Sequence, residues 1–167
     1  NNLANAYKSV KRYNDALAEF LEAVKLDPDD SAVHHNLGNL YSFLGRKEEA
    51  LSEYNRAGAG YYGLVESKYA IARLLANGGN FDGAEKAYNE ILNLSPNDPN
   101  AYNEIGLMHA RKGNDGKALE FYNKALALSP DFAAAWLNLG NMSFNRRNLD
   151  EALGYYKKAV LIKRFIY

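Results

Sequence analysis

Asparagine is the residue type best placed to do chemistry in this chain, and that chemistry is hydrogen bonding. Asn2, Asn36 and Asn138 fall at equivalent places along the sequence, and so do Asn5, Asn39 and Asn141. A side-chain amide both donates and accepts. A row of amides can therefore pair with the N–H and C=O groups of an extended polypeptide, whatever its sequence. Asparagine is also a poor helix former, so its repeated use on helix faces needs a reason. The plainer alternatives are solvated polar surface, or amides that satisfy neighbouring helix ends.

Other candidate constellations carry less. Gly58-Ala59-Gly60-Tyr61-Tyr62-Gly63 matches the dinucleotide fingerprint GxGxxG. That motif works between a strand and a helix, whereas here it follows a helical pattern, so it reads as a broken junction. His34 and His35 are adjacent, so a helix points them about 100° apart, which is poor geometry for sharing one metal. His109 falls in the same column as Tyr7 and Tyr41, an inward packing position. No serine has a recognisable catalytic partner. Asn93-Leu94-Ser95 and Asn141-Met142-Ser143 match the glycosylation sequon, but both fall within expected helices. No catalysis, metal or cofactor is expected.

The elements that must position the asparagines come from a repeat. In Ala135–Ala159, Trp136, Leu139, Gly140 and Ser143 share one helical face by their spacing. Ala152, Tyr156 and Ala159 share the inner face of a second helix. Gly140 and Ala152 are small where the two backbones should meet. The Ala152 position recurs as Ala118, Ala84, Ala50 and Ala16, always 34 residues apart. Four residues after each alanine stands a ring: Phe20, Tyr54, Tyr88, Tyr122, Tyr156. Twelve before each stands Ala4, Gly38, Ala72, Gly106 or Gly140. Pro28, Pro96 and Pro130 close three of the units. These columns resemble the tetratricopeptide repeat, a helix–turn–helix of 34 residues.

The resemblance covers essentially the whole chain and implies an all-α, right-handed α-solenoid. It is expected to be a single array over 1–167, with an incomplete repeat at about 1–30 and further repeats at 31–64, 65–98, 99–132 and 133–167. The stretch around Gly58 and Gly60 departs from the pattern, and glycine costs about 1 kcal/mol in a helix interior. The second helix of repeat two is therefore expected to stop early.

In such arrays the first helix of each repeat lines a concave face. The residues that look into it would be Asn2, Asn5, His35, Asn36, Asn39, Phe43, Tyr69, Arg73, Asn103, Glu104, Leu107, Arg111, Asn138, Asn141 and Phe144. The asparagines resemble the amide ladder of some peptide-binding members of the family. In the middle of the array, charge and aromatic surface replace them. The lysine–asparagine–lysine–arginine clamp that some co-chaperones close on a C-terminal carboxylate is not matched, because His35 stands in place of its first lysine. The implied function is a protein-interaction scaffold that binds an extended segment of a partner in the groove. The alternatives are a scaffold that self-associates through its terminal repeats, or the non-catalytic arm of a larger enzyme such as a glycosyltransferase.

Composition narrows the partners. Lysine plus arginine number 20 and aspartate plus glutamate number 20, for a formal net charge of zero. That balance gives no electrostatic footprint for nucleic acid or a membrane surface. There are 0 cysteines, so disulfides and thiolate metal sites are excluded and a reducing cytoplasm is compatible. No apolar run reaches the ~18 residues of a membrane span. The first helix lacks its opening turn, so the chain reads as a fragment, and its apolar end, Phe165-Ile166-Tyr167, is expected to pack against something.

Overall fold

A computed structural model describes residues 1–59 and 64–164, with side chains through Ile162. The rest of the glycine motif, residues 60–63, and the apolar end at 165–167 lie outside the described residues. Among the described residues there are ten helices and no strand. They are α1 (Asn2–Ser9), α2 (Tyr13–Leu26), α3 (Ser31–Phe43), α4 (Lys47–Ala57), α5 (Leu64–Asn77), α6 (Phe81–Leu94), α7 (Pro99–Arg111), α8 (Asp115–Leu128), α9 (Ala133–Asn145) and α10 (Leu149–Arg164). The chain forms two compact units, Asn1–Ala87 and Tyr88–Tyr167.

The repeating columns are the packing columns. Ala16, Ala50, Ala84 and Ala118 are fully buried, and the rings that follow them are buried too: Phe20, Tyr54, Tyr88 and Tyr122. Three of the rings have a glycine as their seat. A Cβ placed on Gly38 would lie 2.7 Å from the Tyr54 ring, and one on Gly106 would lie 2.7 Å from the Tyr122 ring. On Gly140 it would lie 2.5 Å from the Tyr156 ring. The glycine is small because an aromatic face lies flat on the helix backbone at that point. The alanine adds to the constraint at Gly106, where the Ala118 carbonyl is 3.2 Å from the same Cβ position. Close seating of this kind leaves no room for a methyl group.

The turns follow from backbone conformation. Lys11, Gly45, Gly79, Gly113 and Arg147 sit between the two helices of successive repeats, and all have positive φ, from 63° to 81°. Three are glycines, which reach that region freely, while Lys11 and Arg147 occupy it with a side chain. The first helices of repeats two and four start on aspartate caps. Asp30 accepts from the Ala32 and Val33 amides, and Asp98 accepts from the Asn100 and Ala101 amides. The second helix of repeat two does stop early: α4 has 11 residues where α6 and α8 have 14.

A further column ties the first helices of repeats two, four and five to the turn before each. Trp136 donates its indole N–H to the Pro130 carbonyl at 2.8 Å, and Tyr102 donates its hydroxyl to the Pro96 carbonyl at 3.2 Å. His34 occupies the same place, with Nε2 2.8 Å from the Pro28 carbonyl. Behind these donors, Trp136 stacks on Tyr155 and Tyr102 on Phe121. Behind His34 stands a carboxylate instead: Nδ1 is 2.6 Å from Glu53 Oε2. His109 is buried and stacked on Phe121, as its column requires.

Candidate functional site

The first unit contains Asn2, Asn5, His35, Asn36, Asn39, Phe43, Tyr69 and Arg73. Asn1, Asn5 and Asn36 form a connected set. Asn1 Oδ1 accepts from Asn5 Nδ2 at 3.1 Å and from Asn36 Nδ2 at 3.0 Å, which joins α1 to α3. Asn39 Oδ1 accepts the Tyr54 hydroxyl at 2.9 Å. Burial raises the Tyr54 phenol pKa, against a hydrogen bond from Ser42 that lowers it. Asn36 and Asn39 are both half-buried, three residues apart on one side of α3.

Beside them, the His35 ring lies 5.7 Å from the Tyr54 ring. Its Nδ1 is buried and finds no hydrogen-bond partner among the described residues. Burial lowers the His35 pKa below its ordinary value, with Glu66 opposing and Lys8 adding to the effect. Asn2 and Arg73 are exposed. Phe43 is 66% exposed, with its ring 4.9 Å from that of Tyr13. Tyr69 is buried, with the Arg73 guanidinium 5.5 Å above its ring.

The second unit contains Asn103, Glu104, Leu107, Arg111, Asn138, Asn141 and Phe144. Here the same two bonds recur. Asn138 Nδ2 donates to Asn103 Oδ1 at 2.9 Å, joining α7 to α9, and Tyr156 donates its hydroxyl to Asn141 Oδ1 at 2.9 Å. Asn103 is buried beneath this bond and supports Asn138 without facing solvent. Glu104 accepts the Tyr88 hydroxyl at 3.2 Å. Leu107 is half-buried where α3 and α9 carry asparagine. The Tyr122 phenol of that repeat is pushed up to about 12, chiefly by burial and then by Glu104. Arg111 is exposed, and Phe144 is 57% exposed.

The amides are thus neither bare nor fully consumed. Asn36, Asn39, Asn138 and Asn141 each make an internal bond through one end and keep further capacity, since an amide offers two donors and two acceptor sites. Four hydrogen-bonding participants were not among the expected residues: Asn1, Tyr54, Tyr88 and Tyr156. A signal for Tyr54 and Tyr156 was present, because a tyrosine four residues after the alanine accompanies an asparagine next to the glycine in repeats two and five. The two sequons differ in setting. Asn141 is tied to Tyr156, and Ser143 is buried and bonded to Glu151 at 2.8 Å, whereas Asn93 is exposed near the end of α6. Among the described residues, no three His, Cys, Asp or Glu side chains cluster to hold a metal, and no helix is long and apolar enough to cross a membrane.

Helix pairs of fixed period with a ring seated on a glycine define a helical-repeat protein. The pattern of the tetratricopeptide repeat matches residues 69–131 and 122–165, and a second pattern of the same repeat matches 4–45. The chain belongs to the tetratricopeptide repeat family, and its fold is the α-solenoid of that family. Among curated proteins it is 28% identical over 117 residues to the protein O-mannosyl-transferase TMTC3 of Mus musculus, a match covering 61% of this chain. It is 26% identical over 110 residues to the anaphase-promoting complex subunit CDC16 of Saccharomyces cerevisiae, covering 66% of this chain. Each match spans 13% of the relative's length.

Among solved structures, PilW, a type IV pilus biogenesis factor, superposes with a TM-score of 0.77 at 22% identity, covering 98% of this chain and 76% of PilW. MamA gives 0.70 at 22%, covering 98% and 97%. YrrB, a TPR protein with an unusual peptide-binding site, gives 0.62 at 24%, covering 98% and 84%. At these identities the likeness is one of fold.

Proposed function

We propose that this chain is a recognition module that holds an extended segment of a partner protein against its first helices. The observation that carries the reading is the repeated pair Asn36–Asn39 and Asn138–Asn141. In both, two amides one helical turn apart are anchored internally and still have hydrogen-bonding capacity to offer. Amides of this kind suit a polypeptide backbone, since N–H and C=O groups are present whatever the sequence. Phe43 and Phe144, both exposed, would add apolar contacts and selectivity. The fold likeness to YrrB is compatible with peptide binding. The partial likeness to an O-mannosyl-transferase is compatible with such a module serving as the recognition arm of a larger protein. Each neutral hydrogen bond contributes only about 0.5–1.5 kcal/mol net, and ordering a flexible segment opposes binding. Several amides must act together, and affinity should be modest.

The test is the quadruple variant Asn36→Ala, Asn39→Ala, Asn138→Ala and Asn141→Ala. A peptide selected from a displayed random library against the full chain is titrated calorimetrically into both proteins. Marked weakening with unchanged helicity is expected, and full binding by the variant would end this reading.

A second reading, self-association, has its own observation. The α9–α10 pair carries an apolar cavity of about 420 Å³ lined by Ala133, Ala134, Leu137, Tyr156, Ala159 and Val160. Leu137 is 45% exposed and Val160 64%. Under that reading Leu137→Lys changes the mass seen by light scattering, while the asparagine variant keeps its partner.

A further inference from the structure

The asparagines do not choose their own orientation. An isolated amide can turn either its oxygen or its nitrogen outward, and the surrounding hydrogen bonds decide which. At Asn39 the decision comes from Tyr54. That ring is held flat on Gly38, where a Cβ would meet it at 2.7 Å, so its hydroxyl has a fixed place. A phenol is a better donor than acceptor, because the ring withdraws its lone pair. Its proton goes to Asn39 Oδ1 at 2.9 Å. The Asn39 nitrogen, with both its donors, is then the end left to face outward. Tyr156 is seated on Gly140 and donates to Asn141 Oδ1 at 2.9 Å, with the same result.

Three residues earlier the opposite end is left. Asn36 spends an N–H on Asn1, and Asn138 spends one on Asn103, so each keeps its oxygen as an acceptor. The first repeat shows the other choice. Its ring is Phe20, which has no hydroxyl, and Asn1 stands one turn before Asn5, where repeats two and five carry His35 and Leu137; there Asn5 gives its nitrogen to Asn1 Oδ1 at 3.1 Å.

We propose that Tyr54 and Tyr156 are positioning residues for peptide recognition: they fix Asn39 and Asn141 with donors outward, so that α3 and α9 each display an acceptor followed one turn later by a donor. The ligand class this pattern fits is the backbone of an extended segment, which turns N–H and C=O groups alternately to one side. The tyrosines act through the amides and do not touch the ligand themselves. This rests on the groove reading above, but it makes a separate claim about orientation.

The experiment uses the full chain with Tyr54→Phe and Tyr156→Phe. Phenylalanine should keep the ring seat, because the contact with Gly38 and Gly140 is made by ring carbons. The first measurement needs no ligand. Side-chain amide resonances of Asn39 and Asn141 should shift in the nitrogen–proton spectrum, while those of Asn36 and Asn138 hold. Unmoved Asn39 and Asn141 resonances would overturn the proposal. The second measurement titrates the display-selected peptide. The double phenylalanine variant should lose about tenfold in affinity at an unchanged melting midpoint. Adding Asn39→Ala and Asn141→Ala should cost little more, because tyrosine and amide act as one unit. If the alanine pair weakens binding and the phenylalanine pair does not, the orientation claim fails and the groove reading survives. If neither pair nor the quadruple alanine variant weakens binding, the groove reading fails as well.

Discussion

In repeat five, Trp136 gives its N–H to the Pro130 carbonyl and lays its ring against Tyr155. In repeat two, His34 gives its N–H to the Pro28 carbonyl and meets Glu53. The geometric task is the same: one donor pins the preceding turn, and one contact ties the first helix to the second. The chemistry differs in what it depends on. A stacked aromatic pair is held by contact area and ring electrostatics, which neither salt nor pH changes much. The imidazole lies between a carbonyl and a carboxylate. To bond both it must carry a proton on each nitrogen, or Glu53 must carry one. His34 is buried and Glu53 nearly so, at 2% and 13% side-chain exposure, so water cannot easily replace a lost partner. A repeat can therefore keep its shape while exchanging a stacked tie for a buried hydrogen-bonded one, and only the latter depends on a single polar partner.

The largest expected effect tests the ring seats in these two repeats. Gly38→Val should destabilise the first unit by about 3 kcal/mol, because Tyr54 is buried and has nowhere to go. Gly140→Val should cost only about 1 kcal/mol, because Tyr156 is half-exposed and can swing outward. Segment-resolved hydrogen exchange separates the two units, and Trp136, the single tryptophan, reports repeat five by fluorescence. Equal costs would mean that the two seats are alike.

Next in size is the tie itself. Glu53→Leu leaves the buried Nδ1 of His34 without its partner and should cost about 2 kcal/mol. Pairing His34→Trp with Glu53→Tyr copies repeat five into repeat two and should recover most of that loss. Thermal melts of the single and double variants decide it, and failure of the double variant to recover would show that the two ties are not interchangeable.

A smaller effect contrasts the outer turns with the inner ones. Lys11 and Arg147 hold φ of 63° and 65° where the inner repeats use glycine. A left-handed conformation costs an ordinary residue about 1–2 kcal/mol, and glycine's extra freedom in the unfolded chain returns about 0.5–1 kcal/mol of that. Lys11→Gly and Arg147→Gly should each stabilise by roughly 0.5 kcal/mol. Denaturant midpoints check this.

The smallest effect is a pH slope from His35. Its pKa is lowered in the folded chain, mainly by burial, from an ordinary value of 6.5. Below that value the unfolded chain takes up a proton that the folded chain resists, so stability falls as pH drops. Above it, the ring is neutral in both states and nothing is lost. His35→Asn should flatten this part of the slope between neutral and mildly acidic pH, and melts across that range measure it.

The fold was legible because it is periodic. Five alanines and five rings in phase specify a helix pair and its spacing, and one reading applies to every copy. The candidate faces were legible as columns of residue types, but the bonds within them were not. Asn39 meets Tyr54 across 15 positions, and Asn1 meets Asn36 across 35, one more than the repeat length. Those offsets depend on how side chains lean along a helix, which a list of columns does not contain. His34 read only as one of two adjacent histidines poorly placed to share a metal, although Glu53 stands where repeats four and five carry Phe121 and Tyr155. The turns at Gly45 and Gly113 were readable from the glycines. Lys11 and Arg147 adopt the same backbone with no residue-type signal at all.

The rings seated on glycine also set a timescale. A tyrosine that is free to turn exchanges its two edges quickly. Tyr54 and Tyr122, wedged between a helix backbone and their own helix, cannot do so until the two helices part. Each flip therefore records one opening of one repeat, on the slower scale of collective motion rather than that of side-chain rotation. Tyr156, half-exposed, should turn faster than either. The column that fixes the distance between the helices thus also places a clock in repeats two, four and five, one that runs at the pace of local breathing.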